Sequence, residues 1–254
     1  MAVINGTDGD DTLVGTEGAD FMRGFAGADV LQGAGGSDLL WGGDGDDRMF
    51  GGDGNDLQFG GGGADQFIGD RGNDVLLGGQ GVDTVSYVDL AEGPVRVDLA
   101  RHFAFDGRGG TDQLRDIENV DGTFFDDVLI GDRNDNRIAG EFGRDTMTGG
   151  RGADAFFWND SADFGDVIVD FVSGTDRLEF DRGEVLRDVL PAGPVAAASI
   201  VNGPAPEDGD DHFIFDPATG ILTIDLNGSG PGLSAAVASL TGVARLQEGD
   251  IWVV

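Results

Sequence analysis

A nine-residue repeat constrains this chain more than any other feature. From Gly6 to Ser86 the sequence divides into nine consecutive nonapeptides without an insertion. Glycine occupies the first and fourth positions of every copy, and the eighth position is apolar except at Gln58. A low-complexity tract would share this composition but not its phase, so the repeat is structural. The sixth position is aspartate in all nine copies: Asp11, Asp20, Asp29, Asp38, Asp47, Asp56, Asp65, Asp74 and Asp83.

Each nonapeptide predicts a short strand after a tight turn. Its last three residues alternate around the apolar eighth position, as in a strand that buries one side chain of each three. Its first six residues hold the glycines that allow positive φ and a close approach of carbonyl oxygens. Two copies then make one coil of eighteen residues. Stacked coils form two parallel sheets, in which the strands of successive coils lie about 4.8 Å apart. The sequence therefore predicts an all-β solenoid whose aspartates lie in two columns.

Those columns require a cation. Two carboxylates about 4.8 Å apart repel each other by roughly 3.5 kcal/mol at an effective dielectric of 20. The net charge of −33, with no lysine in the chain, adds to this repulsion. Such a composition predicts disorder without a bound cation and makes a nucleic acid an unsuitable partner. Calcium prefers six to eight oxygen ligands, which the aspartates and turn carbonyls of neighbouring coils supply.

The repeats resemble the calcium-binding β-roll of the repeats-in-toxin (RTX) family, whose pattern is GGxGxDxUx. The resemblance implies a right-handed parallel β-roll with multiple calcium ions in its turns and a β-rich C-terminal cap. A second block at 122–157 reads GTFFDDVLI, GDRNDNRIA, GEFGRDTMT and GGRGADAFF. Phe125 and Asn134 replace the fourth glycine there, and Asn136 replaces the aspartate, so calcium binding in its first two copies is not expected to be strong. Its candidate metal ligands are Asp127, Asp145 and Asp154.

The rest of the chain also resembles secreted members of that family. Residues 87–121 look like wider coils between repeat blocks, and 164–180 is similar to the segment that follows the last repeat. The stretch HFIFDPATGILTIDLNGSG and the terminal LQEGDIWVV are similar to the C-terminal end of serralysin-type proteins. We expect one domain over 1–180, the solenoid, and a second over 181–254, the cap and secretion region.

The resemblance implies an extracellular protein that carries an uncleaved C-terminal signal for the type I secretion machinery. Residues 1–20 lack the basic and apolar regions of a Sec-type signal peptide. No apolar run reaches the ~18 residues that span a bilayer. Cysteine is absent, which excludes a disulfide framework. Calcium would be scarce inside the cell and plentiful outside, so the resemblance implies export before folding.

No catalytic motif accompanies the repeats. HExxH, GxSxG and the P-loop are absent, and His102 and His212 lie 110 residues apart without an adjacent glutamate. The sequence therefore favours a non-catalytic surface, matrix or adhesion component that contacts a polysaccharide or a surface protein. An enzyme or a membrane-active RTX protein with an unrecognised site in 87–121 or 181–254 is the alternative. Three ninth-position aromatics, Trp41, Phe50 and Phe59, are predicted to face outward, either as a binding stripe or beneath a neighbouring segment.

Overall fold

The computed structural model describes residues 1–88, 92–160, 164–183, 186, 190–206, 212–226 and 234–254. The chain forms two compact units, Met1–Phe124 (unit 1) and Phe125–Val254 (unit 2). Across the described ranges, the chain has no helix with the length and apolar character needed to cross a membrane. The expected domain boundary between residues 180 and 181 stays a prediction.

The described part of unit 1 contains short strands and a 3-10 helix at Leu99–Arg101. Its strands are β1 (Val3–Asn5), β2 (Thr12–Val14), β3 (Phe21–Ala26), β4 (Val30–Gln32), β5 (Leu39–Asp44), β6 (Arg48–Phe50), β7 (Leu57–Gly62), β8 (Gln66–Ile68), β9 (Val75–Gln80), β10 (Thr84–Ser86), β11 (Arg96–Asp98), β12 (Phe103–Phe105), β13 (Thr111–Arg115) and β14 (Asn119–Thr123).

The repeats of unit 1 alternate between two parallel sheets. One sheet has the order β1-β3-β5-β7-β9-β13-β12-β11, and the other has the order β2-β4-β6-β8-β10-β14. Residues eighteen apart face each other, as Leu40 and Gln58 do between β5 and β7. This register confirms the predicted solenoid, in which two nonapeptides complete one coil.

The core of unit 1 is a line of eighth-position side chains between the two sheets. The buried apolar members are Leu13, Met22, Leu31, Leu40, Met49, Phe67, Leu76 and Val85. Gln58 takes the same position in the sixth repeat and is 0% exposed. Because each repeat contributes only one inward side chain, this core is narrow.

An insertion interrupts the repeats after β10. Strands β11 and β12 pair antiparallel, and β12 pairs antiparallel with β13. The chain then re-enters the solenoid in parallel, with β13 beside β9 and β14 beside β10. The segment 87–121 thus contains both an added hairpin and the strands that extend the two sheets of unit 1.

Unit 2 has a short 3-10 helix at Ala197–Ser199 and its own set of strands. These strands are β15 (Val128–Ile130), β16 (Arg137–Glu141), β17 (Thr146–Thr148), β18 (Ala155–Trp158), β19 (Asp166–Ile168), β20 (Arg177–Phe180), β21 (Gly193–Pro194), β22 (Ile200–Asn202), β23 (Phe213–Asp216), β24 (Ile221–Asp225), β25 (Ser234–Leu240) and β26 (Ile251–Val253).

In unit 2 the C-terminal segment covers the strands that follow the second repeat block. One sheet runs β15-β17-β19-β25-β24-β23-β22 and the other runs β16-β18-β20-β26-β21. The direct partners of β19 and β20 are β25 and β26, while the HFIFD and ILTIDL strands β23 and β24 lie outside β25. This coverage pairs backbone groups that an open sheet edge would expose.

Large aromatic side chains fill the core of unit 2. The fully buried ones are Trp158, Phe156, Phe180, Phe213 and Phe215. The rings of Trp158 and Phe180 stack with centroids 5.0 Å apart, and Phe213 lies 5.4 Å from Phe180. Strands of the solenoid and of the C-terminal segment therefore share one apolar core.

Candidate metal centre

The sixth-position aspartates of unit 1 form two columns. In each column the backbone N–H of one aspartate donates to Oδ1 of the aspartate one coil later. The first column is Asp11, Asp29, Asp47, Asp65 and Asp83, with N···O distances of 2.8–2.9 Å. The second is Asp20, Asp38, Asp56 and Asp74, with distances of 2.7–2.8 Å. One oxygen of each later carboxylate is thereby held by the backbone of the preceding coil.

The other carboxylate oxygen, Oδ2, is the unusual atom of these turns. In the interior of both columns it is shielded from solvent yet accepts no hydrogen bond. This applies to Asp29, Asp38, Asp47, Asp56, Asp65 and Asp83, and to Asp145 in unit 2. A buried charged oxygen without a partner is costly, because it has lost its hydration and gained nothing in return.

Glycine at the first position allows that oxygen to approach the backbone of its own turn. A Cβ placed on Gly60 would collide with Oδ2 of Asp65 and lie 2.7 Å from the carbonyl oxygen of Gly78. The carboxylate and the carbonyl of the next coil therefore converge on one point that no larger residue could share. An anionic oxygen and a carbonyl oxygen held close together suit a hard cation such as calcium.

Burial and mutual repulsion disfavour the charged form of the column carboxylates. Burial raises the pKa of Asp47 and Asp65 to about 6, and neighbouring aspartates of the same column add to the rise. Burial likewise raises the pKa of Asp56 and Asp83 to about 7. Without a cation, these carboxyls would hold protons at pH values where an exposed aspartate is ionised.

The first two turns satisfy their carboxylates differently. Thr16 stands at the second position, and its N–H and hydroxyl donate to Oδ2 of Asp20 at 2.7 and 2.8 Å. The N–H of Ala2 and then the Thr16 hydroxyl lower the pKa of Asp20. Thr7 makes the same two bonds to Asp11, at 2.6 and 2.9 Å. These turns at the N-terminal end depend less on a cation than the interior turns do.

In the second block, only part of the pattern recurs. Asp127 donates its N–H to Asp145 at 2.7 Å, and burial, with Asp166 nearby, raises the pKa of Asp145 to about 9. Asn136 donates its N–H to Asp154 at 2.9 Å, while its own Oδ1 accepts the N–H of Asp132 at 2.7 Å. The neutral Asn136 turn therefore offers weaker attraction to a cation, as its sequence predicts.

The columns extend beyond the predicted ligands. Asp74 donates its N–H to Asp112 at 3.1 Å, and Asp83 donates to Glu118 at 2.9 Å. In unit 2, Asp145 donates to Asp166 and Asp154 donates to Asp176, at 2.9 and 3.1 Å. Sequence reasoning missed these four residues. The available signal was an acidic residue two positions before a buried strand position, as in TDRLEF for Asp176.

The expected aromatic stripe is wrong in one respect. Trp41 and Phe59 are neighbours on β5 and β7, but Phe50 lies on β6 of the other sheet, because successive repeats alternate between sheets. The rings of Trp41 and Phe59 stack at 5.3 Å, and the Arg23 guanidinium lies 5.6 Å from the Trp41 ring. The ring faces are thus turned toward neighbours within the sheet, although Trp41 is 44% exposed.

No group of three or more His, Asp or Glu side chains converges on one point among the described residues. A cation here would take only one or two carboxylates and complete its shell with backbone carbonyls. Two parallel sheets whose turns stack buried carboxylates and carbonyl oxygens define a β-roll. The fold and the turns thus place the chain in this structural class.

Comparison with known proteins gives the family. The RTX calcium-binding nonapeptide repeat matches the chain in four copies, over residues 5–40, 23–57, 59–87 and 121–156. The repeats of this chain are therefore RTX calcium-binding nonapeptide repeats, and they fold as a β-roll. No curated protein sequence matches the chain.

One similar solved structure is the extracellular lipase LipA from Serratia marcescens, at 16% identity and a TM-score of 0.29. The similarity covers 98% of this chain and 39% of the lipase. The chain therefore spans about two fifths of that protein. The likeness is too distant to bear on the fold or the activity of this chain.

Proposed function

We propose that this chain is a secreted, non-catalytic β-roll protein that folds when it meets extracellular calcium. The observation that carries the proposal is the buried Oδ2 atom without a partner in six interior turns of unit 1. Each such oxygen lies against the first-position glycine of its own turn, which has no Cβ to prevent the approach. Calcium bound to these oxygens would replace the lost hydration and offset the repulsion between the stacked carboxylates.

The proposed ligands are the sixth-position aspartates together with turn carbonyls. We expect the strongest sites between interior coils, where Oδ2 lacks a partner. The turns of Asp11 and Asp20 contribute less, since threonine already binds their carboxylates. In the second block, Asp127, Asp145 and Asp154 contribute and Asn136 weakens the sites around it.

The calcium concentration would decide whether unit 1 is stable. Extracellular calcium sites have dissociation constants of about 10⁻⁴–10⁻³ M. At about 1 mM calcium and the tighter of these constants, each site adds about 1.4 kcal/mol. Columns of five and four repeat turns enclose up to seven such sites, for a total of about 10 kcal/mol. At cytosolic calcium the same sites add almost nothing, which suits export in the unfolded state.

The surroundings of the two histidines support the proposed non-catalytic role. His102 is exposed in a left-handed turn after the Leu99–Arg101 helix, and Nδ1 of His212 lies 2.9 Å from the carbonyl oxygen of Asp225. Neither histidine pairs with a nucleophile in the described contacts. We propose a surface, matrix or adhesion role, in which the outer sheet faces contact a polysaccharide or a surface protein.

Export would use the C-terminal segment. Its support is the resemblance to serralysin-type C-termini, with the type I secretion machinery as the partner. Fusing residues 181–254 to an unrelated passenger and expressing it with a type I exporter should send the passenger to the medium without cleavage. A passenger that stays inside would contradict the export proposal while leaving calcium binding untouched.

A calcium titration tests the central proposal. Metal-free protein should lose much of its β-sheet signal by circular dichroism and have a larger hydrodynamic radius, because unit 1 unfolds. Calcium at about 1 mM should compact it, while magnesium should not, because magnesium gives up its water reluctantly. A metal-free chain that is as compact and β-rich as the calcium-loaded chain would overturn the proposal.

A further inference from the structure

The insertion after β10 contains a further nonapeptide, which lies outside the continuous repeats of residues 6–86. Residues 107–115 read GRGGTDQLR, with glycine at the first and fourth positions, aspartate at the sixth and leucine at the eighth. The family match ends at residue 87 and resumes at 121, so it passes over this stretch. Its sequence alone leaves open whether it joins the solenoid.

The backbone contacts show that this nonapeptide acts as the next turn of a column. Leu114 pairs with Leu76 between β13 and β9, in the register of the earlier repeats. The N–H of Thr111 donates to Oδ1 of Asn73 at 3.1 Å, just as the N–H of Asn73 donates to Asn55 at 2.9 Å. The fifth-position ladder therefore continues without a break into the insertion.

The glycine at the fourth position confirms the same register. A Cβ on Gly110 would collide with the carbonyl oxygen of Gly72, and a Cβ on Gly72 would collide with that of Gly54. Oδ1 of Asp112 accepts the N–H of Asp74 at 3.1 Å. In the earlier repeats, each sixth-position aspartate likewise accepts the N–H of the aspartate one coil before it. Residues 107–115 thus form a tenth repeat turn in unit 1.

This turn differs from the others in the partner of its aspartate. Oδ2 of Asp112 accepts the hydroxyl of the buried Tyr87 at 3.0 Å. The oxygen without a partner belongs instead to Asp106, which precedes the nonapeptide. Its Oδ1 accepts the N–H groups of Arg108 and Gly110, both at 2.8 Å, while its Oδ2 is buried and accepts nothing.

The free oxygen of Asp106 lies close to a carbonyl oxygen of the neighbouring turn. A Cβ on Gly110 would collide with both Oδ2 of Asp106 and the carbonyl oxygen of Gly72, so the two oxygens converge there. Three buried carboxyl groups nearby, each at most 8% exposed, add negative potential without converging on the same point: Asp70, Asp74 and Asp112. Arg108 brings one positive charge toward Asp70, which leaves the group strongly negative.

We propose that the turns 69–74 and 106–112 enclose a further calcium site, with Oδ2 of Asp106 and the carbonyl oxygen of Gly72 among its ligands. Asp106 would thereby supply the carboxylate ligand that a sixth-position aspartate supplies in other turns, because Oδ2 of Asp112 already accepts the Tyr87 hydroxyl. The proposal rests on calcium binding by the repeats, and it extends one column past the family match. It would tie the inserted hairpin to the solenoid through the metal.

Counting bound ions tests this site. Calcium bound per chain is measured by native mass spectrometry and equilibrium dialysis for the full-length protein and for Asp106→Asn. The asparagine can still accept the N–H groups of Arg108 and Gly110, so the turn keeps its shape and loses only the charge. We expect one ion fewer than in the unchanged protein. Glu92→Gln removes the same charge from an exposed position beside Arg71, and it should lose none.

The possible results separate this site from the general proposal. If the unchanged protein binds no calcium, both proposals fail. If it binds calcium and Asp106→Asn binds equally many ions with equal affinity, only the further site is wrong. Should Asp106→Asn fail to fold in calcium, a crystal structure of the unchanged protein with calcium decides. An ion between Gly72 and Asp106 supports the site, and its absence there in crystals that hold ions in other turns overturns it.

Discussion

The repeat turns of unit 1 and the part of unit 2 from Trp158 onward stabilise stacked strands in different ways. In unit 1 the interior aspartates keep an oxygen without a partner, and the core receives one side chain per repeat. In unit 2, Oδ2 of Asp166 accepts the indole N–H of Trp158 at 2.8 Å. The carboxylate of Asp250 accepts three hydrogen bonds at 2.6–2.9 Å, from the Ser173 hydroxyl and the N–H groups of Gly174 and Gln247. Asp166 and Asp250 thus find partners within the protein, whereas Oδ2 of Asp145, in the repeats of the same unit, does not.

The apolar core of unit 2 is also thicker than that of the unit 1 repeats. Stacked and tilted rings of Trp158, Phe180 and Phe213 fill unit 2 and join repeat strands to β23. Burying one such aromatic contributes about 1.5–3 kcal/mol, so a few of them match several calcium sites. A solenoid coil can therefore be held by ions in its turns or by a thick apolar core, and this chain uses one solution in each region.

Removing calcium should produce the largest difference in stability between the two regions. In a chelator, we expect the amides of β5 and β7 to lose hydrogen-exchange protection by on the order of 10³-fold, since the turn sites no longer contribute. The amides of β23 and β24 should keep most of their protection. Hydrogen exchange with mass spectrometry, with and without calcium, measures both in one sample. Equal loss in both regions would show that the cores do not differ as described.

Acid should partly replace calcium in unit 1. The pKa values of Asp47 and Asp56 are raised by burial to about 6 and about 7, against about 3.9 in an unfolded chain. The folded metal-free state therefore binds more protons than the unfolded state. Its stability is fully present below about pH 4 and is lost as the pH rises through about 6 to 7.

Circular dichroism of metal-free protein across pH 3–8, in buffer cleared of calcium by a resin, checks this prediction. The β-sheet signal should grow on acidification, with its midpoint between about pH 4 and 7. The hydrogen-exchange protection of β23 and β24 should change less over the same range. A signal that falls steadily toward acid would mean that the columns are not the groups that destabilise the metal-free chain.

The sequence predicts the repeat turns and not their continuation, for a geometric reason. Within residues 6–86 the aspartates of a column are always eighteen residues apart, so the phase alone locates them. Beyond that block the spacing becomes 38 residues to Asp112, 35 to Glu118, 21 to Asp166 and 22 to Asp176. Insertions of unequal length erase the period, although the backbone register is kept.

Other features depend on packing that a repeat pattern does not contain. Nothing in the nonapeptide predicts that Tyr87 binds Asp112 or that Trp158 binds Asp166. The mistaken grouping of Phe50 with Trp41 has a simpler cause. Ninth positions of successive repeats alternate between two sheets, so only every second copy shares a face.

A pair of single substitutions sharpens the contrast between interior and N-terminal turns. Asp47 lies inside its column, with N–H and Oδ1 bonded to neighbouring coils and Oδ2 free. At about 1 mM calcium, Asp47→Asn should weaken two adjacent sites and lower the free energy of unfolding by about 3 kcal/mol. Asp20→Asn is the matched control, with a smaller expected loss, because Thr16 already binds that carboxylate.

Calcium-dependent denaturant unfolding of both variants measures the difference. Without calcium the sign should reverse for Asp47→Asn, since it removes a buried charge that has no partner. An Asp47→Asn variant that behaves like Asp20→Asn in both conditions would contradict the distinction between the two kinds of turn.

The smallest effect concerns a buried residue of unit 1 that binds no calcium. Gln58 sits between Leu40 and Leu76 in the eighth-position line, and neither its Oε1 nor its Nε2 has a hydrogen-bond partner. Gln58→Leu should raise the free energy of unfolding by about 1–3 kcal/mol, the usual cost of a buried polar group without a partner. The measurement is urea unfolding at saturating calcium, with the number of bound ions as a control.

The ion count should stay the same in Gln58→Leu, because the turn oxygens are untouched. Leu76→Gln is the reverse change one coil later and should destabilise by a similar amount. If Gln58→Leu were instead destabilising, the amide would be bonded in solution, and the core of unit 1 would depend on more than one apolar side chain per repeat.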